Sequence, residues 1–265
     1  MRKLITGALF TLLRLYTRYV PFHRGRGAMI RPLEWLKRRG WEAPVTPLGG
    51  GLVMELEPSL LGWTVFEEGV WEEAQTRIVR ELLRPGDVVL NVGANTGYYT
   101  LIAAAAVGPH GAVHAFEIQP AMTAILRRNI ARNRLTNITV VESGCFSREG
   151  EAFIHKPGDP GSARIAFAGE GVRVPLTTID RYAAALPRVD VILIDTEGAD
   201  LDVLKGATGV LERCHPAVLA EAHHLEAFGG SEAELRALML RFGYTVRELT
   251  SRFSRDLLFL PPRRA

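Results

Sequence analysis

Cysteine is almost missing from this chain of 265 residues. Cys145 and Cys214 lie far apart and match no metal-ligand spacing, so neither a disulfide framework nor a structural zinc site organises the fold. A reducing compartment follows. No apolar run reaches the roughly 20 residues that a bilayer crossing needs, since Leu4 to Leu13 is too short and is broken by Thr6 and Thr11. Internal repeats and low-complexity tracts are absent. The nicotinamide-type fingerprint Gly-x-Gly-x-x-Gly is absent too, because Asn95 stands where its second glycine would be. No recognised reader motif accompanies the basic residues, which argues against nucleic acid.

What is present centres on Asp87 to Thr100. Val88 to Val92 is an apolar run of strand length, set off by Pro85-Gly86 from a helical stretch, Glu72 to Leu83. Gly93 and Gly97 follow, and then the Ala-rich run Leu101 to Val107 reads as a helix. Strand, glycine-bearing turn and helix make a nucleotide-binding unit, in which backbone approaches the ligand and helix N-terminal amides face it. Ala112 to Phe116 is a second strand ending at Glu117, and Pro120 opens the helix Ala121 to Asn133. An acid about 20 residues beyond the first glycines is set to accept hydrogen bonds from ribose hydroxyls; the plain alternative is a solvated strand-end carboxylate.

Four stretches together resemble the FkbM family of S-adenosylmethionine-dependent methyltransferases. They are Asn91-Val-Gly-Ala-Asn-Thr-Gly-Tyr-Tyr-Thr100, Ala115-Phe-Glu-Ile-Gln-Pro120, Asp195-Thr-Glu-Gly-Ala-Asp-Leu-Asp-Val-Leu-Lys-Gly-Ala207 and Glu221-Ala-His223. The resemblance covers about Val70 to Glu226. It implies an α/β fold of class I methyltransferase type: a Rossmann-like, mostly parallel sheet with an antiparallel closing strand. It implies S-adenosylmethionine as cofactor and O-methylation of a sugar, polyketide or lipid-linked hydroxyl. By the same resemblance the cofactor-binding set is Asn91, Gly93, Ala94, Asn95, Gly97, Glu117 and Ile118. Ser143 and Cys145 join it from the loop that holds adenine in this fold, and so does Glu72 from the aromatic-Glu pair Trp71-Glu72. Asn91 replaces the family's usual Asp, keeping an acceptor and losing a charge. Glu72 reads equally as a first-turn carboxylate favoured by the helix dipole, and Cys145 as a small buried residue.

Further strands are expected at Ile138 to Glu142, Asp190 to Asp195 and Ala217 to Ala222, with a closing pair at Thr245 to Leu249 and Leu257 to Leu260. Glu151 to His155 and Gly171 to Pro175 form an antiparallel pair, whose connecting loop holds Ser162 and Arg164 as candidate substrate contacts. Thr177 with Asp180 reads as a helix cap, and Ser231 with Glu234 as a capping box. Asp195 and Glu197 leave the fourth strand at its carboxyl end, and Glu221 and His223 leave the fifth. On neighbouring strands these four converge as the candidate catalytic set, with His223 as general base and Asp195 or Glu221 orienting it. A divalent metal held by the same carboxylates and imidazole is the less favoured alternative.

The whole chain carries a formal charge of +3, but unevenly. Up to Trp41 stand Arg2, Lys3, Arg14, Arg18, Arg24, Arg26, Arg31, Lys37, Arg38 and Arg39 against Glu34 alone. The organisation is therefore a basic, helical N-terminal extension, residues 1–45, and a methyltransferase domain, residues 46–265, with Pro44 to Gly51 as linker. Leu4, Ala8, Leu12, Leu15 and Tyr19 share a helical face opposite Arg14 and Arg18. That pattern suits an anionic membrane surface, a signal peptide, or a helix packed on the body or on a second copy in a homodimer. The expected location is cytoplasmic, with a peripheral seat on the inner membrane face. Two rival functions stay open on residues alone: a nicotinamide-dependent oxidoreductase, and a catalytically silent cofactor-binding protein at a membrane.

Overall fold

The computed structural model describes residues 45–55, 59–155, 164–250 and 255–262. The membrane-binding helix, the signal-peptide alternative and the Ser162 contact fall outside them. The chain divides into two compact units, Met1–Trp71 and Glu72–Ala265. In the first, Val45–Gly49 (β1) and Leu52–Glu55 (β2) pair antiparallel, with Val45 opposite Glu55 and Gly49 opposite Leu52. This corrects the expected linker: Gly49, Gly50 and Gly51 all take positive φ and turn a hairpin rather than loosen the chain. Leu60–Glu68 (α1) follows. Ser59 Oγ accepts from the Gly62 N–H at 3.1 Å, and Gly69 closes the helix in the left-handed region.

The second unit is built on one twisted sheet. Its elements run Glu73–Leu82 (α2), Val88–Val92 (β3), Tyr98–Val107 (α3), Ala112–Phe116 (β4), Pro120–Asn133 (α4) and Ile138–Val141 (β5). A small sheet then intervenes, formed by Gly144–Cys145 (β6), Gly150–His155 (β7), Arg164–Ala166 (β8) and Val172–Thr177 (β9). Ile179–Tyr182 (α5), Val191–Ile194 (β10), Asp200–Lys205 (α6), Thr208–Cys214 (α7), Ala217–Glu221 (β11), Glu232–Arg241 (α8), Thr245–Thr250 (β12) and Arg255–Leu260 (β13) complete it.

The large sheet has the order β12-β13-β11-β10-β3-β4-β5. From β11 to β5 the neighbours are parallel, and β13 runs antiparallel to both β11 and β12. That is the class I methyltransferase arrangement with its closing antiparallel strand. Strands buried on both faces read as unbroken apolar runs, as Val191–Ile194 does. On one face Leu90, Val92, Ile192, Ile194, Val218 and Ala220 pack with Leu201, Leu204, Leu211, Leu235 and Met239 of the helices after β10 and β11. On the other, Ala115 packs with Leu126 of α4. Each fully buried Leu or Ile contributes about 1.5–3 kcal/mol. The small sheet has the order β6-β9-β7-β8, and its β7–β9 pairing is antiparallel. Among the described residues no helix is long and apolar enough to cross a membrane.

The cap expected of Thr177 belongs to Thr178, whose Oγ1 accepts from Arg181 N at 3.0 Å. Asp180 instead caps the next helix but one. Its Oδ2 and Oδ1 accept from the N–H groups of Gly209 and Val210 at 2.9 and 2.8 Å, at the start of α7. Two open amide donors are satisfied from outside the helix they belong to. Replacing Asp180 by Ala should cost about 1–2 kcal/mol, read as a lower Tm and urea midpoint with an unchanged m-value.

Candidate functional site

The register of the sheet sets the site. Phe116, Val92, Ile194 and Ala220 stand side by side on β4, β3, β10 and β11. One residue further along, at the carboxyl ends, come Glu117, Gly93, Asp195 and Glu221, and Asp256 of β13 is paired with Glu221. In parallel sheets ligands bind beyond these ends. A cleft, open at its mouth, lies there. Its wall holds Gly93, Asn95, Glu117, Ile118, Gln119, Ser143, Cys145 and the loop from Asp195 to Ala199, with Ile165 reaching in from β8.

Gly93 is indispensable to this geometry. It sits at φ +85°, and a Cβ there would stand 1.8 Å from the backbone oxygen of Asp195. Only a residue without a side chain lets the turns after β3 and β10 approach so closely. Glu117 ties the same turn down. Its Oε2 accepts from Asn95 N and its Oε1 from Gln119 N, both at 2.7 Å. The group is only 5% exposed, and burial pushes its pKa up while those two N–H donors oppose the rise. Asn95 itself takes φ +51°, a left-handed conformation that Asn tolerates better than most residues.

The other expected cofactor residues fall around the cleft. Asn91 is buried and donates through Nδ2 to Thr100 Oγ1 at 2.7 Å. Ala94 belongs to the apolar cluster with Ala115 and Leu126. Gly97 opens α3 at φ +105°, where a Cβ would strike Leu126 at 2.6 Å. Glu72 precedes α2 at φ +42° and accepts from Tyr99 Oη at 3.2 Å. None of these four is among the cleft-lining residues, whereas Ser143 and Cys145 are. Burial pushes the Cys145 thiol up, away from thiolate chemistry.

Of the expected catalytic set, Asp195 and Glu197 line the cleft. Asp195 presents an open face to it, yet sits deep in the protein mass. That depth first, and then the charges of Asp200 and Glu197, hold its carboxyl well above the ordinary range; the open face moderates the first effect. Glu221 lies behind, with its side chain 15% exposed and Oε2 buried without a hydrogen-bond partner. Burial, followed by the Asp195 charge, raises it as well. His223 is 41% exposed and does not line the cleft; its Nδ1 stands 3.6 Å from Glu221 Oε1, beyond hydrogen-bond reach. Among the described residues no group of three His, Cys, Asp or Glu side chains is arranged to hold a metal ion.

Gln119, Thr196, Ala199 and Ile165 also line the cleft and went unrecognised in the sequence. Gln119 and Thr196 adjoin recognised motif residues, which was the available signal. Ile165 had none, because it arrives from the small sheet.

Two predictions follow from these environments. Glu117→Ala should weaken S-adenosylmethionine binding by about 1.5–3 kcal/mol if Glu117 is the ribose acceptor expected from the sequence, since it also frees the Asn95 turn; calorimetry on the folded variant checks it. Asp200 is fully buried, and burial, opposed by Thr196 and nearby N–H groups, raises its pKa to about 6. A carboxyl raised on folding contributes stability that is complete below about 3.8, its unfolded value, and is lost as pH climbs through about 6. The Tm of Asp200→Asn relative to the parent should therefore improve steadily between about pH 4 and pH 6, and a flat difference would contradict this.

The family model for the methyltransferase FkbM domain matches residues 91–246. A stretch of 53 residues is 51% identical to the 31-O-demethyl-FK506 methyltransferase FkbM of Streptomyces tacrolimicus, covering 20% of each chain. Another of 59 residues is 39% identical to a protein-L-isoaspartate O-methyltransferase of Methanothrix thermoacetophila, covering 22% of this chain and 28% of that one. The chain thus spans under a third of the length of these relatives. The crystal structure of methyltransferase FkbM from Methylobacillus flagellatus aligns at 16% identity and TM-score 0.47, over 69% of this chain and 50% of that one.

Proposed function

Because this chain belongs to the FkbM methyltransferase family, we propose that it moves the methyl group of S-adenosylmethionine to a hydroxyl oxygen of a small molecule: a sugar, a polyketide or a lipid-linked glycan. The cofactor supplies an electrophilic methyl on a positively charged sulfur. The cleft suits it chemically. The Gly93 turn admits no Cβ, and Glu117 retains lone pairs for ribose hydroxyls beside the two N–H groups it already accepts. Ile118 and Cys145 offer apolar wall for the adenine.

One observation carries the choice of oxygen. Asp195 turns an open carboxylate into the cleft from the strand next to Glu221. A hydroxyl is a poor nucleophile while it keeps its proton, and a carboxylate within hydrogen-bond reach can take it. In-line positioning supplies much of the remaining rate. Asp195 is accordingly the proton acceptor in this reading, and Glu197 shapes the rim beside it. His223, half turned to solvent and outside the cleft, relays or orients rather than receives the proton first. The basic residues up to Trp41 support a seat on an anionic membrane surface, where lipid-linked acceptors are found.

Incubating the protein with 13C-methyl-labelled S-adenosylmethionine and extract of its source organism should give a product whose methyl carbon is bonded to oxygen by NMR. Methyl on nitrogen or carbon, or no product, overturns the reading. With that product as assay, Asp195→Asn should lower turnover by about 10²–10⁴-fold and His223→Ala by much less. The reverse order would make His223 the base.

A further inference from the structure

Two acidic residues stand side by side where β10 and β11 end. Asp195 lies one residue past the Ile194–Ala220 pair and so stands opposite Glu221. Registered residues on adjacent strands share a face, with backbones about 4.8 Å apart. The two differ in surroundings: Asp195 opens onto the cleft, while Glu221 is sheltered behind it with Oε2 buried and unpartnered. Beside them Asp200 is wholly buried. Its Oδ2 accepts from Thr196 Oγ1 at 2.8 Å, and its Oδ1 has no partner.

Among the described residues, four further acids act on the pair. Asp200 comes from the first turn of α6, Glu197 from the turn before it, Glu72 from the residue ahead of α2, and Asp256 from β13. Gln75 Nε2 donates to Asp256 Oδ2 at 2.5 Å. His223 approaches from the far side, its Nδ1 3.6 Å from Glu221 Oε1. Like charges this close cannot all be expressed in a sheltered site, and two such carboxyls titrate as one unit.

We propose that Asp195 and Glu221 share one proton in the free protein, release it when a cationic sulfonium enters the cleft, and recover one when that sulfonium has become a neutral thioether. The pair is thus a base armed by the charge of the methyl donor. An opposite charge within about 4–6 Å lowers a carboxyl pKa by about 1–3 units, enough to expel a shared proton near neutrality. During transfer an acceptor lone pair forms the new bond to the methyl carbon. The electron pair of the broken carbon–sulfur bond stays on sulfur, and the hydroxyl proton passes to the pair. The pair carries two negative charges beside one positive before the step, and one beside a neutral sulfur after it. Net charge in the cleft is unchanged. The shared proton of the pair and its release rest on the methyltransferase reading of the cleft, but not on oxygen as the accepting atom.

The test needs no acceptor. Calorimetric titrations at pH 7, in buffers of differing ionisation enthalpy, count the protons released as each ligand binds. S-adenosylmethionine, and sinefungin with its amine in place of the sulfonium, should release about one proton more than S-adenosylhomocysteine. Glu221→Gln and, independently, Asp195→Asn should erase that excess while changing S-adenosylhomocysteine affinity by less than about threefold. Equal counts for the charged and neutral ligands in the parent protein, or an excess that survives in both variants, overturns the proposal and leaves the cofactor assignment standing. If none of the three ligands binds, the cofactor assignment falls and the proposal with it.

Discussion

The close approach of Gly93 to the Asp195 carbonyl is the constraint on which the site depends. Two strand ends, just over a hundred residues apart in sequence, meet where a single methyl group would already collide. From that contact follow the depth of the cleft and the presence of Asp195 in its wall. It also brings the Glu117 carboxylate within reach of the Asn95 amide. Substituting Gly93 would force the turns apart and draw the Asn95 amide away from Glu117. Steric exclusion here does what a hydrogen bond does elsewhere: it specifies one arrangement.

Strain is concentrated around the same edge. Glu72, Asn95, Glu197 and His224 all take positive φ without being glycine. Each such residue costs of order 1–3 kcal/mol, which persists only where the surroundings over-determine it. Gly198 adds a second point of contact, because a Cβ there would stand 2.4 Å from the His224 backbone oxygen. The loops after β10 and β11 are therefore braced against each other. The carboxyls they carry are held near one another despite their repulsion.

Much of the fold was legible because strand burial writes itself into composition. Val191–Ile194 is an unbroken apolar run and Val88–Val92 is apolar but for Asn91; both are bounded by turn residues, and both are strands of the parallel core. Pro44 to Gly51 misled because three glycines resemble a flexible joint. The alternation of buried Thr46 and Leu48 with exposed neighbours was the hairpin's own signal. The cap at Thr177 missed by one residue, and the partners of Asp180 lay 29 and 30 residues further on, where local pattern carries no information. The site divided in the same way. Residues inside contiguous motifs, such as Gly93, Glu117 and Asp195, could be named from sequence. Their alignment in one row across the sheet is a property of register, and register is set by packing over the whole domain.

The small sheet meets the wall of the cleft through β6, which pairs with β9 as Gly144 with Leu176 and Cys145 with Thr177. Its core of Phe146, Ala152, Ile154, Val174 and Leu176 forms a cluster apart from the main one and takes in Ala199 from the turn after β10, with Ile118 packed against it. Yet Ile165, on its outermost strand, forms part of the cleft wall. In evolutionary terms the strands of this sheet are a surface open to variation. Insertions, deletions and substitutions along β7 to β9 can redraw one side of the cleft while the strands that carry Gly93, Glu117 and Asp195 stay as they are. Descendants of such a fold can diverge in what they accept without renegotiating what they bind as donor.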